Sequence, residues 1–146
     1  MSTTGTLVER IGNEPIRSQV VADCVALIDR QVKSKGFMIK GAYATIKTIK
    51  KTFVPETIDG LLNDWLNKLQ PHYERWAANK ATSFSAYVIS RADDVAEDLL
   101  SVTDARAERT SHGTAKKASR SMRASAKANV VEAVPELARL VEKHLG

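Results

Sequence analysis

The feature that most constrains the fold is an apolar pattern at helical spacing that recurs along most of the chain. In residues 13–36, the apolar side chains follow one another at three- and four-residue spacings: Ile16, Val20, Cys24, Leu27, Ile28 and Val32. Such spacing places them on one face of an α-helix. Similar stripes follow in 53–79 and, as one long helix, in 84–102. The chain has only 7 Gly and 4 Pro, few for a turn-rich β-sandwich, so an all-α fold is predicted.

Residues 37–53 are ambiguous because they are rich in β-branched side chains. At about 100° per residue, a helix separates Lys40, Lys47 and Lys51 from an opposite apolar face. A strand would put Ile46 on the same face as Lys40, because an even number of residues separates them. The helix divides apolar from charged side chains better, so a helix is predicted here, although Gly41 weakens it by about 1 kcal/mol.

The predicted architecture is a single-domain bundle of about six amphipathic helices joined by short turns. A chain of 146 residues is of single-domain length. Pro71 and Pro135 are expected to kink or restart the helices that contain them. Residues 111–113 read as a turn, and residues 1–12 could form a loosely packed N-terminal helix.

The positive charge is concentrated in two blocks. Residues 30–51 hold seven cations and no acid, and residues 105–127 hold seven cations and one acid. On a helical wheel, most cations of 116–127 form one stripe opposite a thin Ala, Ser and Met seam. The leading hypothesis is a weak, sequence-independent binder of nucleic acid or another polyanion. Its predicted contact residues are Lys116, Arg120, Arg123, Lys127, Lys40, Lys47 and Lys51.

In two alternatives the charged stripe of 116–127 has no partner outside the protein. It could face solvent, or it could pair along its edges with the acidic helix around 93–98, at about 0–1 kcal/mol for each exposed pair. The segment offers no aromatic ring for base stacking, and its Ala and Ser face is too small for membrane insertion. A second function is therefore a helical interaction or scaffold protein. It could self-associate through the small-residue seam or the Trp65–Trp76 region.

A third function is a small-ligand binder or enzyme with its site near His72, Tyr73 and Trp76. These side chains follow Pro71 and form the richest polar and aromatic cluster in the sequence. No two histidines have a metal-binding spacing, and the acids at 93–98 lack an evident partner helix. The sequence also contains no glycine-rich phosphate loop or nucleophile elbow. We therefore expect a non-enzyme without a metal or cofactor.

The single cysteine, Cys24, cannot form an intramolecular disulfide. Its place on the apolar stripe predicts a buried, inert thiol. Neither a secretory signal nor a transmembrane segment is visible. The sequence thus predicts a cytoplasmic protein that does not insert into membranes.

Overall fold

The computed structural model describes the backbone of residues 5–108 and 113–146, with the side chains of 5–105 and 123–146. Within these residues all regular structure is α-helical, which confirms the all-α bundle. Seven helices are present there: α1 (Leu7–Ile11), α2 (Ile16–Lys33), α3 (Phe37–Ile49), α4 (Phe53–Ala78), α5 (Phe84–Ser90), α6 (Ala92–Glu108) and α7 (Gly113–Leu145).

Helix α1 is firmly held, whereas the sequence offered a loosely packed N-terminal helix for residues 1–12. Leu7 and Ile11 are fully buried. The Thr6 amide donates to the Glu9 carboxylate at 2.8 Å, and the Glu9 amide donates to the Thr6 hydroxyl at 3.1 Å, which forms a capping box. Five helical residues are too few to display a stripe, so the sequence pattern missed the packing of α1.

The predicted helix over 84–102 is interrupted between α5 and α6. Arg91 leaves helical geometry with φ −119° and ψ 30°, and its guanidinium lies over the Tyr87 ring, 4.3 Å from the centroid. The apolar stripe continues across the break, since Val88 and Val95 are both buried. The break therefore changes the helix count without moving this face away from the core.

Neither internal proline restarts a helix. Pro71 lies within α4 and Pro135 lies within α7, and both helices continue beyond them. The predicted turn at 111–113 falls mostly outside the described residues, and Gly113 already begins α7. The long α7 packs against α1, α2, α5 and α6. At its end, the Leu145 carbonyl accepts a hydrogen bond of 2.9 Å from Arg10 of α1.

Helix α3 confirms the helical prediction for most of 37–53 but contributes nothing to the core. No residue of α3 is buried, and among its side chains only Tyr43 is half-buried. Phe37, Met38 and Ile49 are 91%, 84% and 80% exposed. An amphipathic helix normally turns such residues toward a core. Here the helix packs only against parts of α2 and α4, so this apolar surface is left open to solvent.

Candidate functional site: an apolar pocket

An apolar pocket of about 220 Å³ lies between α2, α4, α6 and α7. Its described lining is aliphatic apart from the Cys24 thiol, the Trp65 indole and the Thr103 hydroxyl. The lining side chains are Val20, Cys24, Leu27, Ile28, Ile58, Leu62, Trp65, Leu66, Leu69, Leu99, Leu100, Thr103, Val130, Leu137, Leu140 and Val141. No charged side chain is among them, so the pocket is suited to a neutral, apolar group.

The apolar stripes of the sequence build the walls of this pocket. On α2 the lining residues Val20, Cys24 and Leu27 follow one another at four- and three-residue spacing, and on α4 Ile58, Leu62 and Leu66 do the same. The sequence analysis predicted that these side chains face inward. It missed the pocket, because a stripe does not show whether side chains from four helices fill the space between them.

Cys24 is the chemically reactive group of the pocket lining, and burial suppresses its reactivity. Burial, with a smaller contribution from the neighbouring Asp23 carboxylate, raises the pKa of the Cys24 thiol to about 11. The thiol is therefore protonated at neutral pH, and the thiolate is the nucleophilic form. This environment agrees with the predicted inert cysteine, although Cys24 lines a space that a ligand could enter.

The Cys24 pKa predicts slow alkylation in the folded protein. Because the Cys24 pKa is about 11 instead of the ordinary 9.0, the thiolate fraction at pH 8 is roughly 100-fold lower than in an ordinary thiol. We expect iodoacetamide to modify folded Cys24 slower by at least that factor than the urea-unfolded chain, as measured by mass spectrometry. The Cys24 thiol loses its proton at lower pH in the unfolded chain than in the folded protein. Its ionisation therefore lowers the free energy of unfolding as pH rises from 9 to 11. Equal alkylation rates at pH 8 would contradict the prediction.

The predicted cluster at His72, Tyr73 and Trp76 lies outside the pocket, and its polar atoms have partners within the protein. His72 is buried with Nε2 2.6 Å from the Asp98 carboxylate, which links α4 to α6. The Tyr73 hydroxyl accepts from Arg10 at 2.7 Å. The Trp76 indole donates to the Thr82 carbonyl at 2.7 Å. Such contacts tie helices together, and they leave this cluster without a polar group aimed at a ligand.

The described part of the 116–127 stripe is engaged with α6. Arg123 lies 3.0 Å from Glu97 and 2.9 Å from Asp104, and Lys127 lies 3.1 Å from Asp93. This is the edge pairing that the sequence offered as an alternative. The side chains of Lys116 and Arg120, which complete the predicted stripe, lie outside the described residues.

The other predicted cations, Lys40, Lys47 and Lys51, belong to α3 and the turn after it. Lys47 lies 3.5 Å from the Asp29 carboxylate, whereas Lys40 and Lys51 form no ion pair with a described residue. Helix α3 packs against α2 and α4 and not against α7. Helix α3, with Lys40 and Lys47, is therefore not a neighbour of α7, whereas α2, which carries Arg30 and Lys33 of the same basic block, packs against α7.

Two carboxylates of α2 that join it to other helices, Asp23 and Asp29, were not singled out by the sequence analysis. Asp23 of α2 accepts from Lys143 at 2.8 Å and from His144 at 2.6 Å, and these bonds lower the pKa of Asp23. Asp29 accepts from the Tyr43 hydroxyl at 2.6 Å, which lowers the pKa of Asp29.

Across the described residues, no group of three or more His, Cys, Asp or Glu side chains could hold a metal ion.

Fold and pocket together define a small all-α protein with an apolar interior site. A family model described as a family of unknown function, DUF6918, matches residues 7–145, and the chain belongs to that family. No curated protein and no solved structure matches the chain. No helix in the described part of the chain is long and apolar enough to cross a bilayer.

Proposed function

We propose that this protein binds a small apolar molecule, or the hydrocarbon part of a larger one, in the pocket between α2, α4, α6 and α7. The observation that carries the proposal is the size of this space. At about 24 cal/mol per Å³, 220 Å³ of fully enclosed empty space would cost about 5 kcal/mol, and this figure is an upper bound because the pocket opens to solvent near Thr103. Since small domains are stable by only about 5–15 kcal/mol, a ligand that fills the cavity would contribute strongly to stability.

The lining restricts the class of ligand. An apolar cavity of about 150 Å³ holds benzene, so the present pocket has room for a substituted ring or a short hydrocarbon segment. A polar end of the ligand would be placed best near Thr103, which is exposed at the rim. The lining offers no acid–base pair and no activated nucleophile, which supports binding rather than catalysis.

Binding can be tested with an alkylbenzene probe and two phenylalanine variants of α2. We expect the probe to raise the melting temperature of the native protein and to show saturable binding by calorimetry. Cys24→Phe places a ring in the pocket and should abolish both effects. Ala22→Phe adds a comparable ring at an exposed position of the same helix and should preserve both. Absence of binding to the native protein, or unchanged binding to Cys24→Phe, would refute the proposal.

Polyanion binding through basic helix faces stays a second proposal. Pairing of Arg123 and Lys127 with α6 weakens it for α7, whereas the exposed Lys40 and Lys51 favour it for α3 and the turn that follows. A gel shift on mixed DNA and RNA tests it directly. Phosphate contacts are strongest at low salt, so no shift at about 50 mM salt would rule it out.

A further inference from the structure

Helix α3 presents an apolar surface that the rest of the described fold does not cover. Phe37, Met38 and Ile49 are almost fully exposed, and they lie on a helix with no buried residue. The helix is held in place by polar contacts from its other side. The Tyr43 hydroxyl donates to the Asp29 carboxylate of α2 at 2.6 Å, and Lys47 lies 3.5 Å from the same carboxylate.

The exposed side of α3 is uncharged along its length. At about 100° per residue, Met38, Ala42 and Ile49 share one face, and Thr45 lies at its edge. Lys40 and Lys47 project from the side roughly opposite to that face. This division between an apolar face with Met and Ile and a lysine face is typical of helices that lie in the plane of a membrane interface.

The surroundings of α3 carry excess positive charge. Residues 30–51 contain seven cations and no acid. Four of them form ion pairs with acids elsewhere: Arg30–Glu136, Lys35–Glu132, Lys47–Asp29 and Lys50–Glu56. The block therefore has a net excess of three positive charges. A second copy of the chain would bring the same excess to the contact. An anionic surface would complement the charge and cover the apolar face at the same time.

We propose that α3 docks this protein on the surface of an anionic lipid membrane. Met38 and Ile49 enter the boundary between headgroups and acyl chains, and the long side chains of the exposed Lys40 and Lys51 reach lipid phosphates. Such docking is peripheral, and it does not require a helix that crosses the bilayer. Nucleic acid would attract the same lysines, but it would leave Met38 and Ile49 in water. The proposal stands on α3 alone and is independent of the pocket.

Peripheral docking through α3 is a different contact from the one that the sequence analysis argued against. The argument against membrane contact rested on 116–127, where the face opposite the cations is mainly Ala and Ser. Helix α3 instead offers Phe, Met and Ile side chains that are already exposed. Since these side chains have little burial to lose, replacing them with polar residues should leave the fold intact.

The test is flotation of the full chain with phosphatidylcholine vesicles, with and without phosphatidylglycerol. We expect binding to the anionic vesicles only, and weaker binding at high salt. Met38→Ser combined with Ile49→Ser should reduce binding about tenfold or more, because the apolar contact is lost. Lys40→Glu combined with Lys51→Glu should reduce it similarly at low salt. Lys68→Glu, at an exposed position of α4, is the matched control and should bind nearly as the native protein does.

Circular dichroism and the melting temperature of each variant check that the fold is intact. Absence of binding to anionic vesicles would overturn the proposal, and so would equal binding by the Met38→Ser, Ile49→Ser variant. A gel shift lost in the lysine variant without vesicle binding would assign the surface to nucleic acid. Concentration-dependent dimerisation lost in the serine variant would assign it to a second copy.

Discussion

Replacing Leu66 with alanine is expected to lower the free energy of unfolding by about 3–5 kcal/mol, and an apolar ligand should restore part of that loss. Leu66 is 2% exposed and lines the pocket, so its truncation enlarges a space that is already present. A ligand that binds only the folded state stabilises it by about 2.7 kcal/mol at 100 times its Kd. Urea denaturation with and without an alkylbenzene probe measures both effects.

Leu7→Ala is the matched control for the Leu66 variant. Leu7 is fully buried in the core but is not among the pocket residues. We expect a comparable loss of stability, since a similar volume of buried side chain is removed. The probe should add no more stability to this variant than to the native protein. If the probe stabilised Leu7→Ala as much as Leu66→Ala, the stability that it restores to Leu66→Ala would not come from binding in the enlarged pocket.

Replacing Arg17 with methionine is expected to lower the free energy of unfolding by about 1–3 kcal/mol. The Arg17 side chain is 18% exposed and joins α2 to the turn after α1 and to α4. It donates to the Gly12 carbonyl at 2.7 Å, to the Asp59 carboxylate and carbonyl at 2.7 and 2.6 Å, and to Asn63 at 2.8 Å. Methionine preserves the stem but leaves these acceptors without their donor. Chemical denaturation gives the difference directly.

Two further variants identify the cause of that loss. Arg17→Lys retains the charge but cannot reproduce the planar fork of donors, so it should recover less than half of the lost stability. Lys68→Met removes a cation from an exposed position of α4 and should change the free energy of unfolding by no more than about 0.5 kcal/mol. Full recovery by Arg17→Lys would show that charge alone, rather than the hydrogen-bonding geometry, stabilises this junction.

The all-α fold could be predicted from the sequence because the spacing of apolar residues is a local property. The stripe from Ile16 to Val32 and the face around Leu66 are complete within single segments, and each forms a helix as predicted. The wheel for 37–53 also predicted the helix that forms α3, with an apolar face opposite its lysines. It could not indicate that this face stays exposed, because burial depends on what other segments bring into contact with it.

The candidate site was harder to predict from the sequence for a similar reason. The sequence drew attention to His72 because polar and aromatic residues cluster there, yet its ring is satisfied by Asp98, 26 residues further along the chain. The pocket is lined by ordinary core residue types whose individual positions are unremarkable. Its volume results from the fit between side chains of four helices, which no single stripe specifies.

The contact between Arg10 and the Leu145 carbonyl has a consequence for synthesis of the chain on the ribosome. The two residues are 135 positions apart, and α7 also packs against α1, α2, α5 and α6. The bundle therefore cannot close until the end of α7 has left the exit tunnel. Until then, the apolar stripes of the earlier helices lack a partner, and the nascent chain presents them to chaperones or to other chains.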